Sequence, residues 1–247
     1  MFEVKGLMKT FRNRKTSETV TPVNKVDLYI KEGEHVGLLG PSGCGKTTLS
    51  RIAMKLIPPD SGRIFLDGED VTDLSNRAYR QYRSKMQMVF QNPYASLDPT
   101  KTMNWSLSEA YAASGKTPPE HDSLCEMFEI PRDVLDRRPI MISGGEIQRI
   151  SILRCLACDP KYMILDEPTS MLDVSVQASI MRHIMKLNEK KDKGILLITH
   201  DIDLARIFCN RVYLMDDGHI VESGPADEVL WEPKTESGRK YIHSSAR

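Results

Sequence analysis

Two groups of residues in this chain have the types and spacing to work on a phosphate ester. The first is the run Gly40-Pro41-Ser42-Gly43-Cys44-Gly45-Lys46-Thr47, followed by Thr48. Glycines at 40, 43 and 45 permit backbone angles that other residues avoid, so successive amide N–H groups can converge on phosphate oxygens at a helix N-terminus. Lys46 adds a positive charge for the β- and γ-phosphates, and the Thr47 hydroxyl is a ligand for Mg²⁺. The second group is the acidic pair Asp166-Glu167. Asp166 is suited to hold Mg²⁺ through water, and Glu167 to take a proton from an attacking water.

Such chemistry requires particular elements around it. Glu34-His35-Val36-Gly37-Leu38-Leu39 has strand character, and the apolar positions of 48–56 recur at helical spacing, so the glycine run sits between a strand and a helix, as a phosphate loop must. Tyr162-Met163-Ile164-Leu165 reads as a buried strand, which puts Asp166 at the C-terminal end, where open α/β sheets keep their ligands. Ser143-Gly144-Gly145-Glu146 heads the amphipathic segment 147–154, offering a hydroxyl and exposed amides to an anion. Gln91 closes the strand-like Met86–Phe90, His200 follows the apolar run Ile195-Leu196-Leu197-Ile198-Thr199, and Phe11 lies on a strand near the start of the chain.

Together these residues resemble the ATP-binding-cassette (ABC) ATPases, over almost the whole chain. The resemblance implies an α/β fold: a P-loop NTPase (RecA-like) core, an antiparallel β subdomain and an inserted α-helical subdomain. It assigns Phe11 to stacking on adenine, and Gly40 to Thr48 and Glu146 to the nucleotide. Gln91 becomes a catalytic and Mg²⁺-linked glutamine, and His200 the residue that senses the γ-phosphate. Ser143, Gly144 and Gly145 would complete the ATP site of a partner subunit in a head-to-tail dimer, and Ser170-Met171-Leu172-Asp173 looks like the loop at that seam. The stretches 90–99 and 170–178 are similar to the ATPase subunits of peptide, dipeptide and nickel importers. A related branch, a soluble ATPase of a phosphonate carbon–phosphorus lyase system, is the competing expectation. Glu146 stands where many relatives have glutamine, and Met171 where a small residue is usual. The cysteine cluster that longer peptide-import relatives carry near their C-terminus has no counterpart here, so an iron–sulfur cluster has no support.

Composition narrows the partners. Lysine plus arginine and aspartate plus glutamate number 34 each, so no net charge recommends nucleic acid or an anionic membrane surface. No segment reaches the roughly 18–20 apolar residues that cross a bilayer, so a transporter reading needs separate permease subunits, with a substrate-binding protein acting through them. The opening Met1–Gly6 lacks an apolar targeting core, and the 5 cysteines are scattered, which predicts free thiols in a cytosolic protein held at the inner face of the membrane by its partners. Cys155-Leu156-Ala157-Cys158 has CxxC spacing inside a helical segment and reads as buried small residues. Cys44, among anion-attracting neighbours, is expected to favour the thiolate.

Along the chain, residues 1–35 alternate as β-strands do, and 62–68 reads as a further short strand. One cassette is expected: residues 1–91 and 159–222 as the nucleotide-binding core and 92–158 as the helical subdomain, with a permease docking near Tyr94 to Trp105. From 161 onward strand-like and helix-like segments alternate, which predicts a parallel sheet with crossover helices. Beyond 222 the expectation is a short helix near 226–231 and a loosely held tail to 247. Neither the cargo nor the choice between homodimer and heterodimer is encoded in these motifs.

Overall fold

The computed structural model describes residues 1–12, 18–118, 123–169, 174–188 and 192–245. Its elements run β1 Phe2–Arg12, β2 Thr19–Ile30, β3 His35–Leu39, α1 Lys46–Ala53, β4 Ser61–Leu66, β5 Glu69–Asp70, α2 Asn76–Arg83 and β6 Met86–Val89. There follow α3 Met103–Ala113, α4 Ser123–Met127, α5 Arg132–Leu135, α6 Gly144–Ala157, β7 Tyr162–Asp166 and α7 Val174–Asn188. The chain continues through β8 Gly194–Ile198, α8 Ile202–Phe208, β9 Arg211–Asp216, β10 His219–Pro225, α9 Ala226–Trp231 and α10 Glu236–Ser245. Two compact units result, one from Met1–Tyr82 with Gly194–Arg247, the other from Arg83–Lys193.

The first unit holds two sheets. One is antiparallel in the order β2-β1-β4-β5, built on alternating strands whose inward residues include Phe2, Val4, Leu7, Val26 and Ile30. The other runs β10-β9-β3-β8, with β9, β3 and β8 parallel and β10 turned back along β9. β3 and β8 are almost continuously apolar and buried, the pattern of parallel strands covered on both faces. Pairing of β3 with β8, from His35↔Ile195 to Leu38↔Ile198, brings the ends of both strands to one edge.

The second unit contains the parallel pair β6 and β7, in register from Met86↔Tyr162 to Val89↔Leu165, and the helices α3 to α7. Its core includes Met86, Val89, Ile147, Ile150, Tyr162, Ile164 and Leu165. The CxxC pair lies within and at the end of α6, where Cys155 and Cys158 are buried and burial pushes both thiols up, as suits small apolar core residues.

The helix expected near 226–231 is α9, but the segment beyond it is not loose. Glu222 accepts bonds from the backbone N–H of Lys234 (2.8 Å) and Thr235 (3.0 Å), and Tyr241 and Ile242 of α10 are buried. Two buried side chains in an otherwise polar stretch suffice to dock this helix, and such sparse burial gives little periodic signal.

Candidate nucleotide site

The glycine run joins β3 to α1, as the sequence predicts. Gly40 and Gly45 are required by space as well as by angle: at φ +152 and +116, a Cβ would come within 2.0 Å of Met215 O and 1.8 Å of Pro22 O respectively. The backbone is therefore pinned between two neighbouring strands while Pro41, Ser42 and Gly43 stay exposed. Gly45 caps α1 without any side-chain bond, so the first-turn amides of the helix are not consumed by a capping side chain. Lys46, only 8% exposed, folds its ammonium into the loop and donates to Gly40 O (2.7 Å) and Pro41 O (2.8 Å). A concave loop with uncapped amides and an inward lysine fits a polyphosphate in shape and in charge.

One expectation here is corrected. Burial raises the Cys44 thiol above its ordinary range, and the nearby Lys46 charge only partly opposes this. Cys44 is 6% exposed, with Lys46 Nζ 3.6 Å from its sulfur. Desolvation of the thiolate outweighs the attraction of its anion-binding neighbours, so the neutral thiol is favoured.

His200 follows β8 by two residues and is exposed at the same edge to which β3 delivers the loop. Thr199 N–H donates to Leu38 O (3.4 Å), and Asp201 caps α8 by accepting from Leu204 N–H (2.9 Å), which fixes the chain on both sides of the histidine. Phe11 lies near the end of β1, opposite Val20, with 46% of its surface open and the Lys9 ammonium 5.6 Å from the ring centroid. The exposed ring is available for stacking on a base.

In the second unit, β6 and β7 end side by side. Asp166 terminates β7 at 2% exposure, and Glu167 follows in a left-handed conformation at φ +46. Gln91, just past β6, donates from Nε2 to Glu167 Oε2 at 2.7 Å. Residues 76 apart in sequence thus meet because parallel pairing sets Val89 beside Leu165. Ser143 is the N-cap of α6, accepting from Glu146 N–H (3.3 Å), while the Glu146 carboxylate accepts from Ser143 N–H (2.9 Å) and Oγ–H (2.7 Å). This reciprocal capping box holds the Glu146 carboxyl below its usual range, first through the Ser143 side chain and then through its backbone. Gly144 and Gly145 form the first turn beyond the cap. Ser170-Met171-Leu172-Asp173 lies outside the described residues.

The residue that sequence reasoning passed over is Gln148, a polar side chain on the buried face of α6, which donates from Nε2 to Pro168 O at 2.7 Å. α6 is buried on nearly every side from Ile147 onward, so no apolar periodicity singles this amide out.

Comparison with known proteins decides the family. The family model described as ABC transporter matches residues 23–170, more than half of the chain. The chain belongs to the ABC transporter family. This ABC protein is 37% identical over 239 residues to a putative peptide import ATP-binding protein of Brucella ovis, covering 95% of this chain and 75% of that one. It is 40% identical over 213 residues to the nickel import ATP-binding protein NikE of Escherichia coli O157:H7, covering 84% and 80% respectively. Among solved structures, an ATP-binding cassette described as a dimer in a post-hydrolysis state bound to ADP and Pi superposes with a TM-score of 0.80 at 30% identity, over 92% of this chain and 99% of that one. The fold is that of an ABC cassette with a P-loop NTPase core, and the ABC protein is an ATPase.

Proposed function

We propose that this ABC protein is the ATP-hydrolysing motor subunit of a membrane importer for oligopeptides, dipeptides or nickel. The observation that carries the catalytic part is the Gln91–Glu167 hydrogen bond of 2.7 Å beside the buried Asp166. A glutamate held by a neutral amide at a strand end is placed to polarise water. The importer assignment is supported by the relatedness to proteins named for peptide and nickel import.

In this reading, ATP is taken up between two cassettes arranged head to tail. Each nucleotide is served by Phe11, Gly40–Thr48, Gln91, Asp166, Glu167 and His200 of one subunit and by Ser143, Gly144 and Gly145 of the other. Mg²⁺, held through Thr47, Asp166 and Gln91, would draw charge from the phosphate oxygens. Among the described residues no group of three or more His, Cys, Asp or Glu side chains is arranged as a metal site. That accords with a cation that arrives with the nucleotide and keeps phosphate and water ligands. Lys46 absorbs charge on the transferred phosphoryl group, Glu167 accepts the water proton, and His200 orients the γ-phosphate. Loss of that phosphate removes the contacts holding the subunits together, and the dimer opens.

No helix among the described residues is long and apolar enough to cross a membrane. In this reading coupling to transport runs through separate permeases. The exposed Tyr94 and Trp105 of the second unit suit such a docking surface. Affinity purification of the tagged chain from its host, followed by mass spectrometry, tests the assignment. Recovery of multi-span permeases supports it, and recovery of phosphonate-cleavage subunits in their place would overturn it.

A further inference from the structure

Gln148 is fully shielded from solvent, at 0% exposure, on a helix face it shares with the buried Ile152 and Cys155, four and seven residues on. Its Nε2 is spent on the Pro168 carbonyl at 2.7 Å, while its Oε1 is buried and has no partner among the described residues. An apolar side chain of the same length would avoid that unsatisfied acceptor, so packing alone does not account for an amide here. What the amide adds is one bond, and the bond falls on the residue directly after Glu167.

Glu167 needs such an anchor. It is a non-glycine residue at φ +46 and precedes a proline, two circumstances that each restrict the backbone. Conformations of this kind persist only where the surroundings over-determine them. Two contacts bracket this one: Gln91 on the Glu167 carboxylate and Gln148 on the next carbonyl, which as a buried group itself requires a donor.

We propose that Gln148 is a positioning residue for Glu167. Its amide holds the Pro168 carbonyl, and with it the left-handed turn that delivers the Glu167 carboxylate to the Gln91 amide. Because α6 runs without interruption from its Ser143 cap to Ala157, the same bond ties the place of the carboxylate to the helix that begins with Gly144-Gly145. The proposal rests on the reading of Glu167 as general base.

Steady-state ATPase kinetics of Gln148→Met, Glu167→Gln and the double variant test it. Methionine keeps the length and unbranched shape of the side chain and removes the donor. Displacement of a reacting group by about 1 Å can cost about 10²-fold, so Gln148→Met should lower kcat by that order and leave KM for ATP within about twofold. Added to Glu167→Gln, it should cost nothing further, because the group it positions is gone. Wild-type kcat in Gln148→Met, a loss expressed in KM, or an equal loss in both backgrounds would overturn the positioning role. Retained turnover in Glu167→Gln alone would instead overturn the base assignment. If Gln148→Met does not fold, Gln148→Leu, which likewise removes the donor without introducing an ionisable group, is judged by the same outcomes.

Discussion

Replacing Lys46 by methionine separates what that residue does for the loop from what it does for nucleotide. In the free protein the ammonium donates to Gly40 O at 2.7 Å and Pro41 O at 2.8 Å, and methionine leaves both carbonyls without that donor. A hydrogen bond from a charged donor contributes about 1.5–3 kcal/mol, but Pro41 lies at the surface, where water can replace the lost partner. The expected cost to the nucleotide-free protein is therefore only about 1–3 kcal/mol. The larger consequence concerns ligand: a nucleotide at a hundred times its Kd stabilises the folded state by about 2.7 kcal/mol, and that gain requires binding. Urea unfolding of wild type and Lys46→Met, each with and without a non-hydrolysable ATP analogue and Mg²⁺, reads both quantities. Wild type should show the ligand-dependent rise, and Lys46→Met a slightly lower baseline with almost no rise. A variant that keeps the full ligand-dependent gain would refute the phosphate assignment of the loop.

Other outcomes follow from an ion pair away from the loop and from a thiol within it. Glu34 receives Arg211 bidentately, Nε on Oε1 at 2.7 Å and Nη2 on Oε2 at 3.0 Å, with both side chains largely buried. Burial pushes the Glu34 carboxyl up, yet the bonds from Arg211 and the Lys31 backbone outweigh it and the net shift is downward. A carboxyl depressed in the folded state stabilises fully above its unfolded pKa of about 4.3 and loses that contribution as pH falls through its folded value. Glu34→Gln should therefore cost about 2–4 kcal/mol near neutral pH and progressively less below pH 4, by urea unfolding across pH. A pH-independent difference would remove Glu34 from acid sensitivity. Cys44, with its thiol raised by burial, should react with iodoacetamide at neutral pH more slowly than a free cysteine; modification at the free-thiol rate would reverse that reading.

Much of this architecture is legible along the chain because it depends on short-range periodicity. The continuous apolar runs ending at Leu39, Leu165 and Ile198 become β3, β7 and β8, and helix-like segments of the alternation from 161 onward become α7 and α8. The glycine run and the cap at Ser143 are equally local, since each is defined by backbone conformation within a few residues. What sequence conceals depends on distant neighbours. The acidity of Cys44 is governed by desolvation that no adjacent residue reports, and it reverses the expectation drawn from those neighbours. α10 is held by Glu222, far back in β10, and by two buried side chains in a polar stretch. Gln148 reads as one more polar residue after Ser143-Gly144-Gly145-Glu146 until its bond to the carbonyl beyond Glu167 is seen.

The account turns on Glu167 as the group that accepts the proton of the attacking water. Mg²⁺-dependent ATP turnover of Glu167→Gln, measured beside its equilibrium affinity for ATP, tests this most directly. The account predicts unimpaired binding with turnover reduced about 10²–10⁴-fold. Near-normal turnover in Glu167→Gln would contradict it.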